Sequence, residues 1–233
     1  MSEAKDVSNS EGRMYPGMNQ DERTVFEPYS AFDIPADLRK LHGRYDVVAT
    51  ALRIRNFRYA EEWMMMMMGG WLATIPELPA KTGLAKVIWE TAQAADWLGN
   101  RLPELRCGRK SATASESANQ GFADFIEAVS EPESPDQTIE KLAGIVDVLK
   151  PHLIQVYERT ARETDQICDA PTIELLEDIV RKSRRHVSWG KEVLDRLCDT
   201  DAKRQRRQRH SSRLQAQLDV CGGVTGELTT ASA

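Results

Sequence analysis

No stretch of this chain approaches the run of about 20 apolar residues needed to cross a bilayer, so no membrane role is expected. The first thirty residues are polar and lack the apolar segment of a secretory signal. Cysteine is scarce, with Cys107, Cys168, Cys198 and Cys221 far apart and without C-x-x-C spacing. That spacing excludes the usual zinc frameworks and a dense disulfide scaffold. Reduced thiols in a cytoplasmic protein are the expectation. The phosphate-cradling patterns G-x-x-x-x-G-K-[ST] and G-x-G-x-x-G are both missing, which argues against a nucleotide cofactor. A net charge of −5 gives no general attraction to nucleic acid or to an anionic membrane. Strand-like alternation never extends beyond a few residues, and there is no internal repeat.

What is present is helical periodicity. The chain has 233 residues, 41% of them hydrophobic and 29% charged, enough for one sizeable core. Residues 1–34 are polar without sustained periodicity and read as a flexible N-terminal arm. From Pro35 a long helix is expected, with Leu38, Leu41, Tyr45, Val48, Leu52, Tyr59 and Trp63 at three- and four-residue spacing, ending at Gly69-Gly70. A second helix fits Leu84 to Leu102, and a short amphipathic piece fits Phe122 to Val129. A third is expected from Pro135 to about Cys168, kinked or broken near Lys150 by Pro151. Asp169 is placed to cap a fourth, whose inward face includes Leu176, Ile179, Ser183, His186 and Leu194. The helical bundle then covers residues 35–200. Residues 201–233 read as a basic polar tail, with Lys203, Arg204, Arg206, Arg207, Arg209 and Arg213 on a solvated helix extension. No aromatic residues interleave with those cations, so nucleic acid is not expected as a partner.

Two segments, WETAQAADWLGNRLPELR (89–106) and DAPTIELLEDIVRKSRRHVSWG (169–190), together with YAEEW on the first helix, resemble ferritin-like di-iron carboxylate oxygenases. The resemblance covers roughly residues 36–197 and implies an all-α, ferritin-like four-helix bundle with extra short helices and flexible termini. In such bundles a Glu-x-x-His pair on each of two helices, plus one Glu from each of the others, holds two metal ions. By position, Glu62, Glu158 and His186 match ligands, whereas Thr91, Ala94 and Ser183 stand where ligands are wanted; Glu90 and Gln93 lean toward the flank of their helix. Glu61 competes with Glu62 for the inward position, and helix phase does not decide between them. The resemblance therefore implies a degenerate metal site carrying no ion or a single iron or manganese ion.

Two carboxylates facing one core need a compensating cation or a proton. The expectation is a small-molecule pocket in which Glu62, Glu158 and His186 perform acid–base or single-metal chemistry on a largely apolar organic substrate, in specialised biosynthesis. Tyr59, Trp63, Met66, Trp89, Thr91, Ala94 and Ser183 are the expected lining. The alternative is a non-catalytic ligand-binding or partner-subunit bundle, and a further one is a non-haem iron oxygenase with replacement ligands; a homodimer is compatible with each. The run Met64 to Met68 points all round a helix, so it reads as adaptable packing. Some of these methionines, with Trp63, Trp71 and Trp89, are candidates to line an apolar pocket.

Overall fold

In the computed structural model the chain divides into two units, residues 1–39 and 40–233. The structure describes residues 43–108 and 119–227, all in the second unit. The expected arm over 1–34 and the first residues of the expected first helix lie outside them. Among the described residues every regular element is helical and there is no strand.

Helix α1 (Val47–Thr74) begins at Asp46, whose carboxylate accepts the Ala49 backbone N–H at 2.7 Å. It does not stop at Gly69-Gly70. The two glycines cost about 1 kcal/mol each relative to alanine, but Met67, Met68 and Trp71 are buried around them and hold the helix together. The methionine run divides as its periodicity requires: Met64, Met67 and Met68 enter the core, while Met66 is exposed. A three-residue link containing Pro76 leads to α2 (Leu78–Glu104), and the two pack along their length as a hairpin. Helix α3 (Gln120–Ser130) follows, capped by Asn119.

The third expected helix is a composite. A capping box at Ser134 and Gln137 opens a short 3-10 turn, which continues into α4 (Thr138–Ala143), a π segment (Gly144–Leu149) and α5 (Lys150–Glu163). The π segment has an identifiable cause. Pro151 donates no N–H and its ring would collide with the carbonyl four residues back, so the turn before it widens. The Lys150 N–H accordingly bonds the Ile145 carbonyl, five residues back. The extra residue changes the helix phase and turns Lys150 into the core.

Helix α6 (Ala170–Leu197) returns against α5 and also packs on α2. Asp169 stands at its N-cap, although its carboxylate bonds the Arg101 guanidinium at 2.5 Å and the Thr172 hydroxyl at 2.6 Å instead of a backbone N–H. Glycines allow the close approaches. The Trp189 indole lies where a Cβ on Gly83 would be, and a Cβ on Gly190 would stand 2.3 Å from Val146 Cγ2. Gly190→Ala is therefore expected to destabilise by about 1–3 kcal/mol through overpacking, read as a lower urea midpoint with an unchanged slope.

The basic segment after residue 200 is helical, as a helix extension is, and it is docked on the bundle. It forms α7 (Asp201–Cys221), which packs on α3, α4 and the π segment and buries Leu214 and Leu218. Three of its arginines are answered from other elements: Arg206 by Glu140, Arg207 by Asp147 at 2.7 Å and Asp195 at 2.9 Å, and Arg213 by Glu131 at 2.8 Å, while Lys203 and Arg204 pair locally with Asp199 and Asp201. Beyond it the turn at Gly222–Gly226 docks on the bundle, where the buried His152 Nε2 accepts the Val224 backbone N–H at 3.0 Å. This acceptor role requires a neutral ring, and burial lowers its pKa to about 4.

Candidate functional site

The polar centre of the bundle is built from four helices. From α1, Glu61 is 1% exposed, and the Tyr157 hydroxyl on α5 donates to its Oε1 at 3.0 Å. The other oxygen of Glu61, Oε2, has no hydrogen-bond partner. Tyr157 is itself fully buried, edge-on to Phe57 with ring centres 4.7 Å apart. From the start of α5, Lys150 is 1% exposed, and its charge acts on both Glu61 and Glu90. From α2, Glu90 meets His186 of α6, with Oε2 and Nε2 2.6 Å apart. Arg185 reaches the other oxygen of Glu90 at 3.4 Å.

Burial sets the protonation of this cluster. It raises the carboxyl pKa of Glu61, opposed by Lys150 and by the Tyr157 hydrogen bond. It lowers the ammonium pKa of Lys150, opposed by Glu61 and Glu90. The proton affinities of a carboxyl and an amine are thus drawn toward one another, as at sites built to move protons. Burial also raises the Tyr157 phenol well above its ordinary value, and Glu61 adds to the shift, so Tyr157 remains a neutral donor.

For His186, burial and then the Lys150 charge lower the pKa to about 4, against the pull of Glu90. Burial pushes Glu90 up, but the His186 hydrogen bond and the charges of Arg185 and Lys86 prevail and its pKa is lowered. The pair is therefore a neutral imidazole donating Nε2–H to an ionised carboxylate. That tautomer leaves Nδ1 as a buried acceptor, and Nδ1 has no partner. Thr91, beside Glu90 on α2, likewise has a buried hydroxyl without a partner.

The expected trio does not converge. His186 is in the centre, but Glu62 is held by Arg58 of its own helix at 2.7 Å, and Glu158 faces outward to an ion pair with Arg184. Glu61 occupies the inward position in place of Glu62, and Glu90 reaches the core from the flank of α2. Among the expected lining residues, Thr91, Ala94 and Ser183 are buried within the bundle, while Trp89 is 64% exposed. Tyr59 is buried and packs against Trp63 at 6.2 Å between ring centres. Trp63 and Met66 instead line a surface hollow of about 400 Å³ with Met67, Trp71 and Glu133.

A larger groove of about 600 Å³ lies between α5 and α6. Tyr157, Ala161, Ile173, Leu176 and Val180 give it apolar surface, and Glu158, Arg162, Gln166, Glu177, Arg181 and Arg184 add polar groups. Tyr157 therefore belongs both to this groove and to the buried cluster.

The donor set does not fit a two-metal centre. It has one imidazole, already hydrogen-bonded to Glu90, and the charge of the buried Lys150 amine acts on both Glu61 and Glu90, the carboxylates that would have to bind cations. Among the described residues no group of three or more His, Cys, Asp or Glu side chains is arranged to hold an ion. Lys150 was missed in the sequence because Pro151 marked its neighbourhood as a break. Its position inside the apolar run GIVDVLKPHLI is the available signal. No protein family, no curated protein and no solved structure matches this chain.

Proposed function

We propose that this chain is a ferritin-like bundle in which the Lys150 amine takes the place of the metal ions. On this reading it is an enzyme that moves protons on a small, largely apolar organic substrate. The observation that carries the proposal is a buried amine and a buried carboxyl, Lys150 and Glu61, between two helical hairpins joined by a long crossover. One long crossover is the topology of ferritin-like folds, whose cofactor sites lie between facing helices in the core. On this reading a substrate enters through the α5–α6 groove, and opening of that groove brings it to the Tyr157 hydroxyl, which is fully buried in this structure. Glu61 accepts or returns the proton through the Tyr157 hydroxyl, and Lys150 stabilises whichever of them is anionic. Glu90 fixes the His186 tautomer, so that Nδ1 serves as a second buried base.

The test is exchange of carbon-bound hydrogen for deuterium in small organic acids and ketones, with the protein as purified and after chelation. The expected result is exchange that survives chelation and falls by about 10²–10⁴-fold in Glu61→Gln. Exchange that is absent throughout, or is equal in the variant, contradicts the proposal. A second reading, a non-catalytic bundle that binds a ligand or a partner, is favoured by the outward ion pairs of Glu62 and Glu158. It predicts saturable binding with no turnover of the bound molecule.

A further inference from the structure

The glycine pair near the end of α1 has no packing reason. A Cβ on Gly69 or on Gly70 would meet no atom within 4 Å, yet each glycine costs the helix about 1 kcal/mol relative to alanine. What Gly70 leaves open is the surface hollow of about 400 Å³, which it lines with Trp63, Met66, Met67 and Trp71. Their spacing puts all five on one face of α1. The far side is closed by Ser130, at the end of α3, and by Glu133 just after it.

The electrostatics of this hollow are one-sided. Among the described residues Glu133 is the only charged group that lines it, and no cation stands within ion-pair distance of its carboxylate. The buried Lys141 ammonium acts on Glu133 but is committed elsewhere. It donates to the Thr74 hydroxyl at 2.8 Å and to the Glu133 and Ser134 carbonyls, each at 2.9 Å. Its single charge is shared by the carboxylates of Glu77, Glu133 and Asp136. Arg206 also acts on Asp136 but is itself bound by Glu140. Four carboxylates thus face two cations, and the region stays negative. The two hydroxyls of the lining spend their protons on main-chain carbonyls, Thr74 on Trp71 at 3.1 Å and Ser130 on Glu127 at 2.7 Å. A ligand therefore meets their oxygens.

We infer that this hollow binds a small organic cation of the quaternary-ammonium class, with its charge between the Trp63 and Trp71 indoles and the Glu133 carboxylate. Indoles are the strongest aromatic partners of a cation, and flexible thioethers such as those of Met66 and Met67 fit around methyl groups. An anion meets only like charge there. An uncharged molecule desolvates Glu133 without answering it. The hollow shares no residue with the buried cluster of Glu61, Lys150 and Tyr157, so the inference stands apart from the acid–base reading.

The probe is choline, compared with neohexyl alcohol, in which carbon replaces its nitrogen, and with the carboxylate of the same skeleton. Each is titrated into the full chain carrying labelled methionine methyls. Choline is expected to bind roughly tenfold more tightly than either control. It should move the Met66 and Met67 resonances but not those of Met64 and Met68, which are fully buried in the core. Glu133→Gln should weaken choline several-fold and leave neohexyl alcohol unchanged. Gly70→Leu fills the hollow while replacing a poor helix former by a good one, so it should abolish choline binding without lowering Tm. Equal affinity for choline and the alcohol, an undiminished Glu133→Gln variant, unchanged binding in Gly70→Leu, or no saturable binding in the millimolar range overturns the inference.

Discussion

Lys150→Ala is expected to destabilise the protein by about 2–5 kcal/mol, through the loss of a fully buried side chain and of the charge that opposes that of buried Glu61. For a chain of this size that lowers Tm by roughly 4–20 °C. The cause is less the lost amine than what remains. Glu61 is buried with one oxygen already unpartnered, and without Lys150 its carboxylate has only the Tyr157 hydroxyl to answer it. The variant must protonate Glu61 or admit water to reach it. The double variant Lys150→Met with Glu61→Gln removes both charges and keeps an acceptor for Tyr157. It is expected to recover most of the loss, to within about 1 kcal/mol of the parent, because an apolar replacement of a buried pair is often neutral. Urea melts of the two single variants and the double variant measure this coupling. Additive losses would mean that Lys150 and Glu61 act independently.

Acid is expected to unfold the protein through its buried histidines. In the folded protein His152 and His186 both titrate at about 4, below the ordinary value of 6.5. The unfolded chain therefore binds more protons than the folded one between those two values. The stability arising from these neutral rings is complete above 6.5 and is lost as pH falls toward 4. The slope is about 1.4 kcal/mol per pH unit for each ring, or roughly 3 kcal/mol for each across the window. The first local event should be release of the Gly222–Gly226 turn, since protonated His152 no longer accepts the Val224 N–H. Hydrogen exchange at the Val224 amide should accelerate before global unfolding. In His152→Gln, which keeps an acceptor and does not titrate, stability should fall less steeply by about 1.4 kcal/mol per pH unit. An unchanged slope would show that His152 is not held neutral by burial.

The helical architecture was legible because the apolar spacing in α2, α5 and α6 is regular, and His186 was placed correctly on the inward face of α6. The rest failed for specific reasons. Around Glu61 and Glu62, α1 is apolar on nearly every side because of its methionines, so the pattern could not fix which glutamate turns inward. Gly69-Gly70 read as a stop because local propensity could not register the burial of Met68 and Trp71 on either side. Lys150 depends on the phase change of the π segment, a consequence of Pro151 that a regular helical wheel does not include. The ion pairs that dock α7 were not legible because Glu131, Glu140 and Asp147, which pair with its arginines, lie 60 or more residues earlier. Each miss is a tertiary effect acting on a locally ambiguous sequence.

The most direct test of the Lys150 assignment is its own titration, followed by NMR at the side-chain nitrogen and the adjacent carbon. The account predicts an amine that titrates below the ordinary 10.5 and falls further in Glu61→Gln, since Glu61 now raises it. A Lys150 resonance that titrates at 10.5 and ignores the Glu61 substitution would place the amine in solvent. That result would contradict the claim that Lys150 and Glu61 are both buried at the centre of the site and act on one another there.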